Sequence, residues 1–263
     1  MIAYRQPLPL RRSLALGAIG TMTFLGLWAA LSRSGLVSSL FLPGPVAVIE
    51  RFATLLATPF AGGTLLAHVA SSLQRFLAGY LLAVAVGVPL GLMMGWSRLL
   101  DDIVTPIFDG LRFIAPIAWV PFAALWFGTG VGGPILIIFA GAFPPCLINA
   151  YRGARYVDPR LMEAAAMLGT PGHRTITEVL LPAALPSIVA GLRISAGLGW
   201  QSLVGAELIV ASTGVGYMMV QAQGAVSTTT VMVGMVAIGL IGVIIDVCLR
   251  LLEIRIRSHL EQA

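Results

Sequence analysis

Long apolar runs are the feature that most limits what this chain can fold into. A helix needs about 20 apolar residues to cross the hydrocarbon core of a membrane, because lipid offers no partner for open backbone groups. The sequence therefore predicts an all-α integral membrane protein with six transmembrane helices. The predicted spans are Ser13–Leu31, Leu73–Trp96, Ile107–Phe127, Pro134–Tyr151, Leu185–Val210 and Val231–Leu252.

The composition supports a position inside lipid. The chain is 58% hydrophobic and only 10% charged, whereas soluble domains carry about 25% charged residues. The net charge of +5 does not indicate a nucleic-acid partner, because the basic residues are scattered between the apolar runs. The third span is interrupted by two charges and two prolines, so we expect it to be kinked and packed inside the bundle. These residues are Asp109, Arg112, Pro116 and Pro121.

The basic residues, which are all arginines, also predict the orientation. With the N-terminus inside, eleven of the sixteen arginines fall in cytoplasmic segments, two in outer segments and three within spans. Cytoplasmic loops carry the excess of positive charge, so both termini should be cytoplasmic. We therefore expect a cytoplasmic N-terminal tail over 1–12, a membrane domain over 13–257 and a cytoplasmic C-terminal tail over 258–263.

Two loops are long enough to have a role. The outer loop Ser32–Ser72 contains Val46–Leu56, which is predicted to be an amphipathic helix lying on the membrane surface. The inner loop Arg152–Leu181 is the only sizeable cytoplasmic segment between spans. There Asp158 is a suitable N-cap, and Gly169 is placed to end a short helix that a second helix follows.

The inner loop carries a specific pattern. Glu163-Ala164-Ala165 is followed after three residues by Gly169, and after nine more by Val179-Leu180-Leu181-Pro182. This resembles the EAA loop of ABC importer permeases, in which Ile usually stands at the position of Val179. The resemblance implies the type I ABC importer permease fold, with a cytoplasmic coupling helix in the loop at about 158–182. The residues expected to couple to the ATPase are Glu163, Ala164, Ala165, Gly169, Leu181 and Pro182.

The same resemblance implies the partners. Such a permease works with two ABC ATPase subunits, a periplasmic or lipid-anchored solute-binding protein and a second permease copy, here expected to form a homodimer in the lipid of the bacterial cytoplasmic (inner) membrane. The chain contains no lysine, so it cannot form the phosphate-binding P-loop. We therefore expect no enzyme activity and no cofactor in this chain, with ATP and Mg bound by the partner ATPase.

Further motifs indicate a branch of the family. Four segments resemble the nitrate, sulfonate, taurine and bicarbonate permeases, and four more are most similar to taurine permeases. The expected cargo is a small anion such as taurine or another alkanesulfonate. Nitrate, bicarbonate and pyrimidine or aromatic compounds remain alternatives. The eight segments are Leu42–Pro45, Ala115–Pro121, Leu125–Gly128 and Gly191–Arg193, then Gly199-Trp200, Leu203-Val204, Ala206–Ile209 and Gly214–Met218.

Charged and polar residues of the fifth span are candidates for the translocation path. Arg193 near mid-membrane either attracts an anion or pairs with an acid on a neighbouring helix. Glu207 either lines the outer gate or contacts the binding protein, or it pairs with Arg75. Trp200, Gln201 and Ser202 are placed to line a passage, although the glycines beside them fit close helix packing equally well.

Two other classes of membrane protein remain as rivals. An ion-coupled secondary transporter commonly has paired broken helices, and no such pairing is evident between the first and last three spans. A membrane-embedded enzyme needs acids or histidines clustered at one depth, whereas this chain scatters its eleven acids. The three histidines and two cysteines are isolated, so we predict neither a metal site nor a catalytic residue.

Overall fold

The computed structural model describes residues 9–260. Over this range helices are joined by loops, and the β-structure is limited to one isolated bridge between Phe60 and Gly63. Residues 1–8 and 261–263 of the two predicted tails lie outside the described residues. The helices are α1 (Leu10–Arg33), α2 (Pro45–Ala57), α3 (Leu65–Trp96), α4 (Arg98–Leu111), α5 (Val120–Phe127), α6 (Gly132–Arg155), α7 (Pro159–Met167), α8 (Gly172–Arg174), α9 (Leu181–Val210), α10 (Val215–Gly224) and α11 (Thr228–Leu260).

Five helical stretches are long and apolar enough to cross a membrane, or six if the bent pair α4 and α5 counts as one span. All six predicted spans therefore have a counterpart. The second span is longer than predicted, because α3 begins at Leu65 with Thr64 as its N-cap. The last span also extends further, since α11 reaches Leu260.

The third span is sharply broken rather than gently kinked. The helix α4 ends at Leu111, and a short 3₁₀-helix, Pro116–Trp119, leads into α5. The two arms differ in direction by 84°. Pro116 and Pro121 lack the N–H that a continuing helix needs, which accounts for the restart. Arg112 lies at the bend as the C-cap residue of α4.

The centre of the bundle is formed by α3, α6 and α9. Glycines recur on one face of α3, and their missing side chains let α6 approach closely. A Cβ on Gly79 would lie 2.7 Å from Ile138, and one on Gly91 would lie 2.5 Å from the carbonyl oxygen of Leu147. Small residues permit such approach between membrane helices. Phe76 and Trp200, 5.4 Å apart between ring centroids, fill the space between α3 and α9.

Two short helices close the outer end. The predicted surface helix exists as α2, but its apolar face is covered by protein, because Val48 and Leu55 pack in one cluster with Val215 and Met218 of α10 and with residues of α11. The sequence did not predict α10, which at ten residues is too short to cross a membrane. Together α2 and α10 pack across the outer ends of α3 and α11.

Candidate functional site

The loop between the fourth and fifth spans, predicted to be cytoplasmic, forms a short capped helix, α7. The side chain of Asp158 accepts a hydrogen bond from the backbone N–H of Arg160 at 3.0 Å, and Pro159 occupies the first helical position. Both features start a helix efficiently, since the proline has no N–H to leave unpaired. Ala165 is the buried residue of α7, whereas Glu163 and Ala164 are exposed. The helix therefore rests on the protein by one face only.

A left-handed glycine ends α7. Gly169 has a φ of +66°, and its N–H donates to the carbonyl oxygen of Ala166 at 3.0 Å. The N–H of Thr170 donates to the carbonyl oxygen of Ala165 at 3.1 Å, which completes a Schellman motif. No atom would lie within 4 Å of a Cβ on Gly169, so its backbone conformation is what requires glycine.

The end of α7 presents apolar side chains to the surroundings. Met167 and Leu168 are each 84% exposed, and they are adjacent to the turn at Gly169. Exposed apolar groups that sit together on a surface commonly mark a site where another protein binds. Among residues 9–260 nothing covers the two side chains.

The second half of the loop continues directly into the fifth span. We predicted a separate second helix, but α8, a π-helical turn at Thr175–Leu180 and α9 form one helical stretch from Gly172 to Val210. Pro182 cannot donate to the carbonyl of Glu178, and the wide π turn precedes it. Leu181 and Pro182 thus begin α9, and both are exposed. This half of the loop is therefore joined to α9 by continuous helix, with the π turn and Pro182 at the junction.

A buried ion pair joins α3 to the outer end of α9. Arg75 Nη1 lies 3.0 Å from Glu207 Oε1, and the two side chains are 4% and 1% exposed. Ser72 donates to both carboxylate oxygens at 2.8 Å, and the Gly216 N–H donates at 3.0 Å. The Arg75 guanidinium also donates to the carbonyl oxygen of Thr213 at 2.6 Å. Each carboxylate oxygen thus has at least two donors.

His68 extends this buried cluster to the outer loop. Its Nδ1 accepts from the N–H of Gly214 at 3.3 Å, and its Nε2 lies 2.9 Å from the carbonyl oxygen of Phe60. A neutral imidazole with the proton on Nε2 satisfies both contacts. Gly214 has a φ of +111°, and a Cβ there would overlap the Glu207 carboxylate. We name His68, Ser72, Arg75, Glu207, Thr213, Gly214 and Gly216 the outer polar cluster.

Arg193 is also engaged by acids. Its Nε donates to Asp246 Oδ1 at 2.7 Å and its Nη2 donates to Oδ2 at 3.0 Å, a two-pronged contact between α9 and α11. Glu253 lies 3.7 Å from Nη1. Trp200, on the same side of α9, is buried and donates from Nε1 to the carbonyl oxygen of Ile238. Both residues hold α9 against α11.

Gln201 and Ser202 have different surroundings. They line a cavity of about 370 Å³ between α6, α9 and the bend of the third span. Arg112 lies in its wall, together with apolar residues that include Ile117 and Pro144. The structure therefore brings two of the five candidate path residues to one cavity and places Trp200, Arg193 and Glu207 in contacts between helices. The sequence identified Arg112 only as an interruption of the third span and not as a path residue, although a charge within an apolar span is a signal that could have indicated such a role.

The described residues contain no group of three or more His, Cys, Asp or Glu side chains able to hold a metal ion.

Comparison with known proteins identifies the family. Residues 87–258 match the family described as the inner membrane component of binding-protein-dependent transport systems. This match covers more than half of the chain. The chain belongs to this family. It is a subunit of an ABC transporter rather than an enzyme, and in this family a separate subunit hydrolyses ATP while the permease itself carries no cofactor.

Curated relatives are similar over nearly the whole permease. The taurine transport system permease protein TauC of Escherichia coli is 35% identical over 97% of this chain and 92% of its own length. The putative aliphatic sulfonates transport permease protein SsuC of Bacillus subtilis is 36% identical over 90% of this chain and 84% of its own length. The bicarbonate transport system permease protein CmpB of Synechococcus elongatus is 34% identical over 86% of this chain and 84% of its own length.

Solved structures support the fold. Inward facing structures of the MetNI methionine ABC transporter match 70% of this permease and 93% of the solved chain, with a TM-score of 0.56 and 20% identity. The permease thus has the type I ABC importer fold, in an inner-membrane family whose members work with an ATPase and a binding protein. The resemblance to the nitrate, sulfonate and taurine branch is confirmed by the relatives, and the two rival classes are excluded.

Proposed function

We propose that this permease passes a small solute, taurine or another alkanesulfonate, from a binding protein to the cytoplasm. The taurine and sulfonate relatives support this cargo. The bicarbonate relative is similar to nearly the same degree, so bicarbonate is the main alternative, followed by nitrate and by pyrimidine or aromatic compounds. Two permease copies form the passage, because one copy of six spans provides half of it in this class.

The observation that carries the proposal is the exposed end of α7. Its Met167 and Leu168 side chains are uncovered beside the rigid turn at Gly169. We propose that each α7 binds in a cleft of one ATPase subunit, which holds the ATP and Mg. When two ATPase subunits close, they move the loop and thereby α9, because the chain is helical from Gly172 into the span. Rigid-unit motion of this kind alternates access to a fixed site.

The proposed orientation has both termini in the cytoplasm. It places α7 and the arginine-rich segments inside, and the outer polar cluster at the face where a binding protein delivers cargo. The tails over 1–12 and 258–263 and the membrane domain over 13–257 keep the boundaries predicted from the sequence.

Uptake by intact cells tests the cargo. Cells with and without this gene are given labelled taurine, with alkanesulfonates, sulfate, nitrate and bicarbonate as competitors. Loss of uptake in the deletion, competed by sulfonates alone, is the expected result. Unchanged taurine uptake in the deletion would discard the sulfonate cargo, and labelled bicarbonate and nitrate would then be measured in the same cells.

Co-purification tests the assembly. Tagged permease, extracted in mild detergent, should bring down an ATPase subunit in a one-to-one ratio and a differently tagged copy of itself. Recovery of a different permease chain in place of the second copy would replace the homodimer by a heterodimer.

A further inference from the structure

A second ion pair, Asp109–Arg112, lies at the bend of the third span. Arg112 Nε is 2.8 Å from Asp109 Oδ1, and the two side chains are 35% and 48% exposed. The guanidinium also lies 4.7 Å from the centre of the Phe113 ring, within the range of a cation–π contact. Unlike Arg75–Glu207, this pair has open space beside it, because Arg112 lines the cavity that contains Gln201 and Ser202.

The pair lies near the middle of the membrane. Gly141 lines the same cavity nine residues after the start of α6, and Gln201 lines it nine residues before the end of α9. At 1.5 Å per residue both are about 14 Å from the outer ends of their helices, in a hydrocarbon core about 30 Å thick. Charges at this depth are costly, and those found there usually line functional paths.

Asp109 is not explained by the stability of its own helix. It lies in the last turn of α4, where the helix dipole favours a cation and disfavours an acid. Arg112 lies at the C-cap of α4, where the helix dipole stabilises a cation even without an acidic partner. The carboxylate is instead accounted for by its pairing with Arg112, which neutralises a charge within the span, and the pair borders the cavity through Arg112.

Polar groups on α9 complete the cavity wall. Gln201 is exposed, and its amide has no hydrogen-bond partner among the described residues. Ser202 donates to the carbonyl oxygen of Leu198 at 2.7 Å, which leaves its oxygen able to accept. The wall thus offers a cation, an amide and a hydroxyl oxygen close together, in a volume of about 370 Å³ that falls within the size range of small-molecule sites. Asp109 adjoins this wall through its ion pair with Arg112.

We infer that Asp109 and Arg112 together contact a zwitterionic cargo, an aminoalkanesulfonate or a similar small molecule with one ammonium and one anionic group. Arg112 donates to the anionic group and Asp109 accepts from the ammonium. A simple anion would leave the site with a net negative charge at mid-membrane, whereas a zwitterion keeps it neutral. The inference rests on the proposed function and makes its cargo more specific.

The other arginines of the spans do not offer such a contact. Arg75 is enclosed with Glu207, and Arg193 is bound through two nitrogens to Asp246. Among the three arginines within the spans, Arg112 is the one that shares a cavity with uncommitted polar groups of the described residues.

Uptake of two matched sulfonates tests the inference. Cells that express the complete transporter are given labelled taurine or labelled isethionate, which carries a hydroxyl in place of the ammonium. Asp109→Asn should lower taurine uptake about tenfold, as expected for the loss of one charged contact. The same change should not lower isethionate uptake and is expected to raise it, because it removes the negative charge that disfavours a simple anion. Arg112→Gln should lower the uptake of both. Every variant works with the same binding protein. The preference of that protein for one cargo therefore cancels when the ratio of taurine uptake to isethionate uptake is compared between variant and wild type.

Controls separate this effect from misfolding. Asp102→Asn makes the same change on an exposed residue of α4 and should leave both rates unchanged. Membrane level and co-purifying ATPase are measured for each variant, and Asp109→Ser provides a second removal of the charge if Asp109→Asn does not insert.

Three results would overturn the inference. They are an equal loss of both cargoes in Asp109→Asn, no loss of either, and a wild-type transporter that imports bicarbonate or nitrate but neither sulfonate. In each of these cases the importer assignment stands. A wild-type chain that shows no ATP-dependent uptake and recovers no ATPase would instead contradict the proposed function itself.

Discussion

At the outer end of the bundle the Arg75–Glu207 pair is almost fully buried and bonded to groups of the same chain, whereas in the cytoplasmic loop Met167 and Leu168 are each 84% exposed. The outer polar cluster is paired mainly within the chain, although the buried Nε of Arg75 has no hydrogen-bond partner among the described residues, and its residues are tied to three helices. The loop has a rigid backbone but leaves its apolar end uncovered. This difference indicates that changes at the outer end act first on stability, and changes in the loop act first on what the permease binds.

Removing Glu207 should have the largest effect on stability. Glu207→Ala leaves the Arg75 guanidinium buried and unpaired, which costs about 3–5 kcal/mol. The thermal unfolding temperature of the purified complex in detergent should therefore fall strongly. Glu163→Ala, an exposed acid of the loop, is the matched control and should change stability by less than about 0.5 kcal/mol. Equal melting curves for the two variants would show that the outer cluster does not hold the helices together.

Two of the glycines with positive φ, one in each region, allow a direct comparison of the regions. Gly214→Ala combines backbone strain with overlap of the Glu207 carboxylate, so we expect a loss of at least about 2 kcal/mol. Gly169→Ala meets no atom and should cost only about 1 kcal/mol. Asparagine adopts the left-handed conformation more readily than alanine. Gly169→Asn should therefore leave the free energy of unfolding nearly unchanged, whereas Gly214→Asn should still lower it. The same unfolding assay measures all four variants, and a larger loss at Gly169 than at Gly214 would contradict the comparison.

Removing the exposed apolar side chains should affect binding without affecting stability. The double variant Met167→Ser and Leu168→Ser exposes less apolar surface, so its stability should stay within about 0.5 kcal/mol of wild type. Recovery of the ATPase with the tagged permease should fall several-fold. Leu36→Ser, an 82% exposed leucine of the outer loop, should leave recovery unchanged. Normal recovery with the double variant would show that this end of α7 is not the docking surface.

Much of the fold could be predicted from the sequence because it depends on local patterns. Apolar length located the spans, and Asp158, Pro159 and Gly169 located the ends of α7. The glycine repeat on α3 also indicates close packing against another helix, which the length of the apolar runs alone does not. The 84° break of the third span was underestimated, because proline indicates an interruption but not the direction in which the chain continues.

The site was less predictable, since its contacts join residues far apart in the chain. Glu207 meets Arg75 across 132 positions, and Arg193 meets Asp246 across 53. The sequence offered these pairings only as alternatives to a role in transport. Bringing Arg112 beside Gln201 required the bend, which no local pattern specified. The helix α10 was missed because ten residues carry neither a membrane-length run nor strong caps.

Coupling through the turn at Gly169 is tested most directly by transport with a charged variant. Gly169→Asp and the control Gly172→Asp are reconstituted with the ATPase and binding protein in vesicles, after equal membrane insertion has been verified. Gly172 lies in the same loop, with negative φ and open space around it. We expect Gly172→Asp to import labelled cargo normally and Gly169→Asp to lose at least about 90% of ATP-driven uptake, because the charge and the strained turn disturb the docking surface. Normal uptake by Gly169→Asp would contradict coupling through this loop.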